Sequence, residues 1–150
     1  MDITSLLNNS SLDSSVGPGP LARMSMNLFT GAKSNFIAGI EKLREQLTLE
    51  KLIQAKQAGA TFGALSDGER QTLAASATKL GTWALKNDAG NVYGYKANEI
   101  DFKAELDKIN NFAKLDFILK GGNPEAVGVQ EMADGTFWTQ NSNGTYTQIK

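Results

Sequence analysis

The side chains in this sequence that could carry acid–base chemistry are carboxylates, with Glu69, Asp88, Glu99, Asp101, Glu105 and Asp107 as the candidates. The chain has 0 His and 0 Cys, which excludes an imidazole triad, a thiol nucleophile, a disulfide and a Cys/His zinc cluster. Two carboxylates could hydrolyse a glycoside if they flanked one cleft and one of them had a raised pKa. Most of these have plainer duties. Glu69 closes the segment Ser66-Asp67-Gly68-Glu69, which fits a capping box. Asp88 sits in the turn chemistry of Asn87-Asp88-Ala89-Gly90, Asp101 at a helix start, and Glu105 on what should be an exposed helix face. A calcium loop is missing, because Asn87 to Asn91 lacks the acidic spacing and a distal bidentate Glu, and no phosphate-cradling Gly-x-x-x-x-Gly-Lys-Ser/Thr occurs. The expectation is therefore a protein that is not an enzyme, with no catalytic, metal or cofactor-binding residue.

Binding chemistry is better represented. Phe137, Trp138 and Tyr146 place three large rings in the last part of the chain. Trp138 and Tyr146 suit either a sugar-stacking or partner-binding platform or, as the plainer expectation, the inner face of a small sheet. Met24, Met26, Leu28 and Phe29 form a pliable apolar patch, and Leu6, Leu7 and Leu12 are spaced along the N-terminal segment. The candidate partner-binding residues are thus Leu6, Leu7, Leu12, Met24, Met26, Phe29, Phe137, Trp138 and Tyr146. With 15 basic against 16 acidic residues and a formal charge of −1, nucleic acid is an unfavoured partner. Lys103, Lys108 and Lys114 could share part of a helix face, though solvated helix charges explain them as well. No stretch approaches the roughly 18 apolar residues of a membrane span.

The elements that must position these groups follow from hydropathy spacing. Residues 1–20 hold five Ser and two of the three Pro, closing in Gly17-Pro18-Gly19-Pro20. This composition predicts an extended or disordered arm without a standard export signal. From residue 21 to 123 the spacing predicts a helical body. Phe36, Ile37, Ile40, Leu43 and Leu47 make one stripe, capped by Ser34. Thr48 caps a second helix with Leu49, Leu52 and Ile53 inward, ending at Gly59, and Leu73, Ala77 and Leu80 are the seam of a third. Near 82–96 the period changes to two, with Trp83 and Leu85 on one face of a strand, predicting a β-hairpin. Asn98 then caps a long helix through Phe102, Leu106, Ile109, Phe112 and Ala113. Residues 124–150, with turns at Asp134-Gly135 and Asn143-Gly144, predict a small antiparallel β-meander. The fold class is mainly α, a helical body with a short hairpin insertion, an arm and a terminal sheet.

The run Phe36-Ile37-Ala38-Gly39-Ile40-Glu41-Lys42-Leu43, the segment Leu47 to Ile53, and Ala58-Gly59-Ala60-Thr61-Phe62-Gly63-Ala64-Leu65-Ser66-Asp67-Gly68-Glu69 together resemble a helical module of tailed-bacteriophage virion proteins. The resemblance extends through Leu73 to Leu80, the hairpin with Asp88 and Gly90, and the long helix to Leu115. Thr61-Phe62-Gly63-Ala64-Leu65-Ser66 is its most characteristic piece, and no catalytic residue carries over. It implies a structural component of the tail, the head-to-tail junction or the ejection apparatus, made in the host cytoplasm and located in the virion. Its expected partners are other virion proteins or further copies of itself. The alternatives are a virion-associated cell-wall hydrolase, or a glycan- or peptide-binding module.

Overall fold

The computed structural model describes residues 31–58 and 62–150, with side chains described for 36–54, 56 and 62–150. It is mostly helical, with a β-hairpin between the third and fourth helices and a three-stranded antiparallel sheet at the C-terminus. Helix α1 spans Gly31–Gln46. It buries Phe36, Ile37, Ile40 and Leu43, with Leu47 just beyond its end. Ser34 does not cap it, because the good helix formers Ala32 and Lys33 extend the helix back to Gly31 and leave Ser34 inside.

Helix α2 spans Leu49–Ala58, and its cap is Thr48, whose Oγ1 accepts from the Lys51 N–H at 3.3 Å. Leu52 is buried, but Leu49 and Ile53 are 42% and 45% exposed, contrary to the inward stripe expected of all three. The helix meets the body along a narrow strip on the Leu52 side, and the turn that carries Leu49 and Ile53 rotates out of it. The expected stop at Gly59 lies outside the described residues.

Beyond it, Phe62 holds a left-handed backbone with φ of 69°, unusual for a bulky residue. Two contacts secure it: the Phe62 ring is buried, and the following Ala64 N–H donates to Asp116 Oδ1 at 2.9 Å. Helix α3, Asp67–Thr82, opens with the expected capping box: Ser66 Oγ accepts from the Glu69 N–H at 3.2 Å, and Glu69 Oε2 from the Ser66 N–H at 3.1 Å. Leu73, Ala77 and Leu80 form its buried seam.

Trp83 is the C-cap of α3 and not a strand residue, since its N–H still bonds the Gly81 and Leu80 carbonyls. Strands β1, Ala84–Lys86, and β2, Val92–Tyr95, pair antiparallel with Ala84 opposite Tyr95. Helix α4, Glu99–Leu119, is capped by Asn98, whose side chain accepts from the Asp101 N–H at 2.7 Å. Its Phe102 ring lies at the centre of an aromatic group, with centroids 4.9 Å from Tyr95, 6.1 Å from Trp83 and 6.4 Å from Phe36. One apolar core runs from Phe36 to Leu115 and joins all four helices to the hairpin.

A 3-10 turn, Pro124–Val127, leads to β3 (Val129–Glu131), β4 (Phe137–Gln140) and β5 (Tyr146–Gln148), in the order β3-β4-β5. This sheet docks on α4 through polar contacts. Asp107 accepts from Ser142 N–H at 3.1 Å and Ser142 Oγ at 2.7 Å, Asn111 donates to Asn141 at 3.1 Å, and Lys114 Nζ donates to Thr139 Oγ1 at 2.8 Å.

Candidate functional site

Which side of the sheet faces the helices is settled by Val129 and Thr139. These directly paired residues are both buried, and Thr139 receives the Lys114 ammonium from α4. Because side chains alternate along a strand and paired residues share a face, the register assigns every other position. Val129, Thr139 and Thr147 point inward, as does the row of Glu131 and Phe137. Gln130, Trp138 and Gln148 form one outward row; Gln140 and Tyr146 form the next. Trp138 and Tyr146 therefore lie on the outer face, not the inner one expected from their size. A one-residue change of parity exchanges the two faces, and the docking contacts to α4 choose this one. Phe137 is separated from the other two rings and sits half-buried on the helix side.

The outer face is built on a duplicated turn. Asp134-Gly135-Thr136 and Asn143-Gly144-Thr145 fold alike: in each, the Asx oxygen accepts from the Thr N–H at 3.0 Å and from the Thr hydroxyl at 2.6 Å. Gly135 and Gly144 supply the positive φ of 84° and 87° that closes each turn. The strand after each turn then presents an outward aromatic followed two residues later by an outward Gln, Trp138 with Gln140 and Tyr146 with Gln148. This repetition was available in the sequence as the shared Gly-Thr after each Asx and the shared Thr-Gln at each strand end, beyond the two turn dipeptides alone. In the first copy Trp138 Nε1–H donates to Thr136 Oγ1 at 2.9 Å, so the indole is tied through Thr136 to Asp134. Hydrogen bonds from the Thr136 hydroxyl and N–H hold the Asp134 carboxyl below the usual aspartate range. Tyr146 is 62% exposed; Trp138 is partly exposed, and Gln130, Gln140 and Gln148 are exposed. Leu6, Leu7, Leu12, Met24, Met26 and Phe29 lie outside the described residues.

Five of the six candidate carboxylates are engaged in the fold, while Asp88 lies exposed in the hairpin turn. Glu69 is in its capping box, Asp101 accepts from Asn98 Nδ2 at 2.7 Å, Glu99 pairs with Lys103, and Asp107 anchors Ser142. Glu105 is buried rather than exposed, because Lys79 and Lys108 reach over it and bring their ammonium groups to Oε1 at 2.9 and 3.0 Å. Burial pushes its pKa up, but the hydrogen bonds and charges of Lys79 and Lys108 outweigh that and hold it below the usual glutamate range. A carboxylate lowered in the fold contributes stability that is complete above its unfolded pKa and lost as pH falls through the folded one. Denaturation midpoints should therefore fall on acidification below the glutamate range, and Glu105→Gln should flatten that acid limb. Equal acid limbs in the two proteins would show that Glu105 is not the group responsible.

Lys103, Lys108 and Lys114 do not form a free basic face. The first two are paired with Glu99 and Glu105, and Lys114 is drawn against the sheet, where burial pushes its pKa down despite the opposing charge of Asp107. An open groove of about 230 Å³ between α3, α4 and β5 is lined by Thr72, Phe112, Leu115 and Ile149, among others, and its lining includes no carboxylate. Among the described residues, no three His, Cys, Asp or Glu gather into a possible metal site, and no helix is long and apolar enough to cross a membrane. Comparison with protein-family models, curated proteins and solved structures gave no match.

Proposed function

We propose that this chain is a non-enzymatic structural component of a tailed-bacteriophage virion, holding its place among other virion proteins or copies of itself. The observation that carries the reading is the exposed apolar side of α2. Leu49 and Ile53, one helical turn apart, remain 42% and 45% exposed on a helix whose other side is packed into the core. Apolar side chains left together on a fixed helix suit burial against a neighbour. Of the candidate carboxylates, Glu69, Glu99, Asp101, Glu105 and Asp107 serve in caps, ion pairs and the docking of the sheet. The resemblance over Phe36 to Leu115 supplies the virion context. The sheet edges β3 and β5, each with a single strand neighbour, offer further contacts for assembly, and the arm expected over residues 1–20 lies outside the described residues.

The test is incorporation. Wild-type chain should co-purify with mature particles through a density gradient, whereas the double substitution Leu49→Asp, Ile53→Asp should keep its helical circular dichroism and be lost from particles by at least about tenfold. Absence of the wild-type chain from infectious particles, or undiminished incorporation of the double variant, would overturn the reading. Peptidoglycan cleavage by the purified protein would favour the hydrolase.

A further inference from the structure

We propose that the terminal sheet is a lid that lifts from α4 while the helical body stays folded, turning at Gly121-Gly122 and held shut by Asp107, Asn111 and Lys114. This behaviour is independent of the virion reading. The apolar core that joins the four helices to the hairpin ends at Leu115 and includes no residue of the sheet. The buried residues of the sheet are Val129 and Thr139, and Thr139 meets α4 through its hydroxyl. Among the described residues, no backbone–backbone hydrogen bond joins residues 123–150 to the helices. What closes the sheet on α4 is instead a row of polar side chains: Asp107, Asn111 and Lys114 fall at i, i+4 and i+7 on one face of the helix and bind Ser142, Asn141 and Thr139.

The connection to α4 suits such a movement. Gly121 takes a φ of 92° with open space where a side chain would stand, and Gly122 leaves room for the Phe117 ring. Two glycines together can absorb a change of chain direction at little steric cost. The 3-10 turn that follows lies against both α4 and β3, on the pivot side. Asp107 lies about 18 Å along α4 from Leu119, at 1.5 Å per residue. Its two bonds to Ser142 are therefore the fastening farthest from the pivot among the three.

Energetics favour opening here before the core gives way. Side-chain hydrogen bonds are exchanged for bonds to water at a small net cost, whereas separating the helices exposes the apolar core. The closed position also desolvates the Lys114 ammonium against a neutral hydroxyl, so that burial pushes its pKa down, and lifting returns that cation to water. An open groove of about 230 Å³ lies between the sheet and the helices even when the sheet is closed. Lifting removes Thr147, Gln148 and Ile149 from its wall and bares Phe112 and Leu115 on α4.

The chain has 0 Cys, so Val129→Cys and Leu106→Cys each place a single thiol, one buried in the sheet and one in the helical core. The experiment follows labelling of the full chain by a thiol reagent in urea concentrations below the unfolding transition. Val129→Cys should label at least about tenfold faster than Leu106→Cys and with less dependence on urea, the mark of an opening that exposes little surface. Adding Ala77→Gly, which weakens the α3 seam, should speed Leu106→Cys by at least about fivefold and leave Val129→Cys unchanged. Adding Asp107→Ala should speed Val129→Cys by more than about tenfold. If Val129→Cys does not melt as wild type does, hydrogen exchange at the Ser142 amide, whose N–H Asp107 holds, takes its place with the same responses to urea and Ala77→Gly. Two thiols that label alike and respond equally to Ala77→Gly would make the sheet and the helices one cooperative unit and overturn the proposal. Labelling of Val129→Cys that Asp107→Ala does not speed overturns it as well.

Discussion

Phe102→Ala is expected to cost about 3–5 kcal/mol, the range for emptying a buried aromatic site, and so to remove much of the roughly 5–15 kcal/mol that holds an ordinary domain together. The ring is fully buried and packs against Phe36 of α1, Trp83 at the end of α3 and Tyr95 of β2. Removing it takes a shared partner from three elements at once. Collapse is resisted on one side by Tyr95, whose hydroxyl donates to Glu41 Oε1 at 3.0 Å while Glu41 in turn binds Arg44. Burial and the Glu41 carboxylate push the Tyr95 phenol well above its usual range, so it remains a protonated donor. Urea unfolding followed by helical circular dichroism would give the loss, and Phe102→Leu should recover more than half of it. A loss below about 1 kcal/mol, the typical effect of an ordinary substitution, would mean that the aromatic group is not the keystone of the core.

Arg70→Ala should produce the second large effect. This arginine is 1% exposed, and its guanidinium donates to the Leu65 carbonyl and to Asp67 at the entrance to α3. Without it the Leu65 carbonyl loses that donor, at about 1–3 kcal/mol if it stays unsatisfied, and the space of a long buried side chain is emptied as well. Arg70→Met separates the two contributions, since it restores the packing but not the donors. The order of stability should be wild type, then Met, then Ala. Asp67 gives an independent readout: the Arg70 hydrogen bond, followed by the charges of Lys56 and Arg70, holds its carboxyl below the usual range. Its titration by NMR should move up in Arg70→Met. An unchanged Asp67 titration would show that the pair does not persist in solution.

What could be read from the sequence was whatever is decided locally. The Ser66 and Glu69 box, the Thr48 and Asn98 caps, the buried seam of Leu73, Ala77 and Leu80, and the Asx-Gly turns all depend on residues within a few positions of one another. Long-range choices were not legible. Leu49 and Ile53 have the right spacing for burial, yet the side of α2 that meets α3 is set by elements far away in the chain. The two faces of the terminal sheet follow the same alternating pattern, and only the reach of Lys114 and Asp107 from α4 to Thr139 and Ser142 decides which is inward. Large rings invite an inward assignment by hydrophobicity, and Trp138 and Tyr146 run against it. Glu105 was misplaced for a related reason: a carboxylate can be buried once two lysines from separate turns close over it.

The two Asx-Gly-Thr turns carry their own bracing, since each is closed by hydrogen bonds among its own three residues. The second is fastened to α4 as well, through Ser142 to Asp107 and through Asn141 to Asn111. Loosening the sheet from α4 should therefore leave the first turn and the β3–β4 register in place, while the second turn loses part of what holds it.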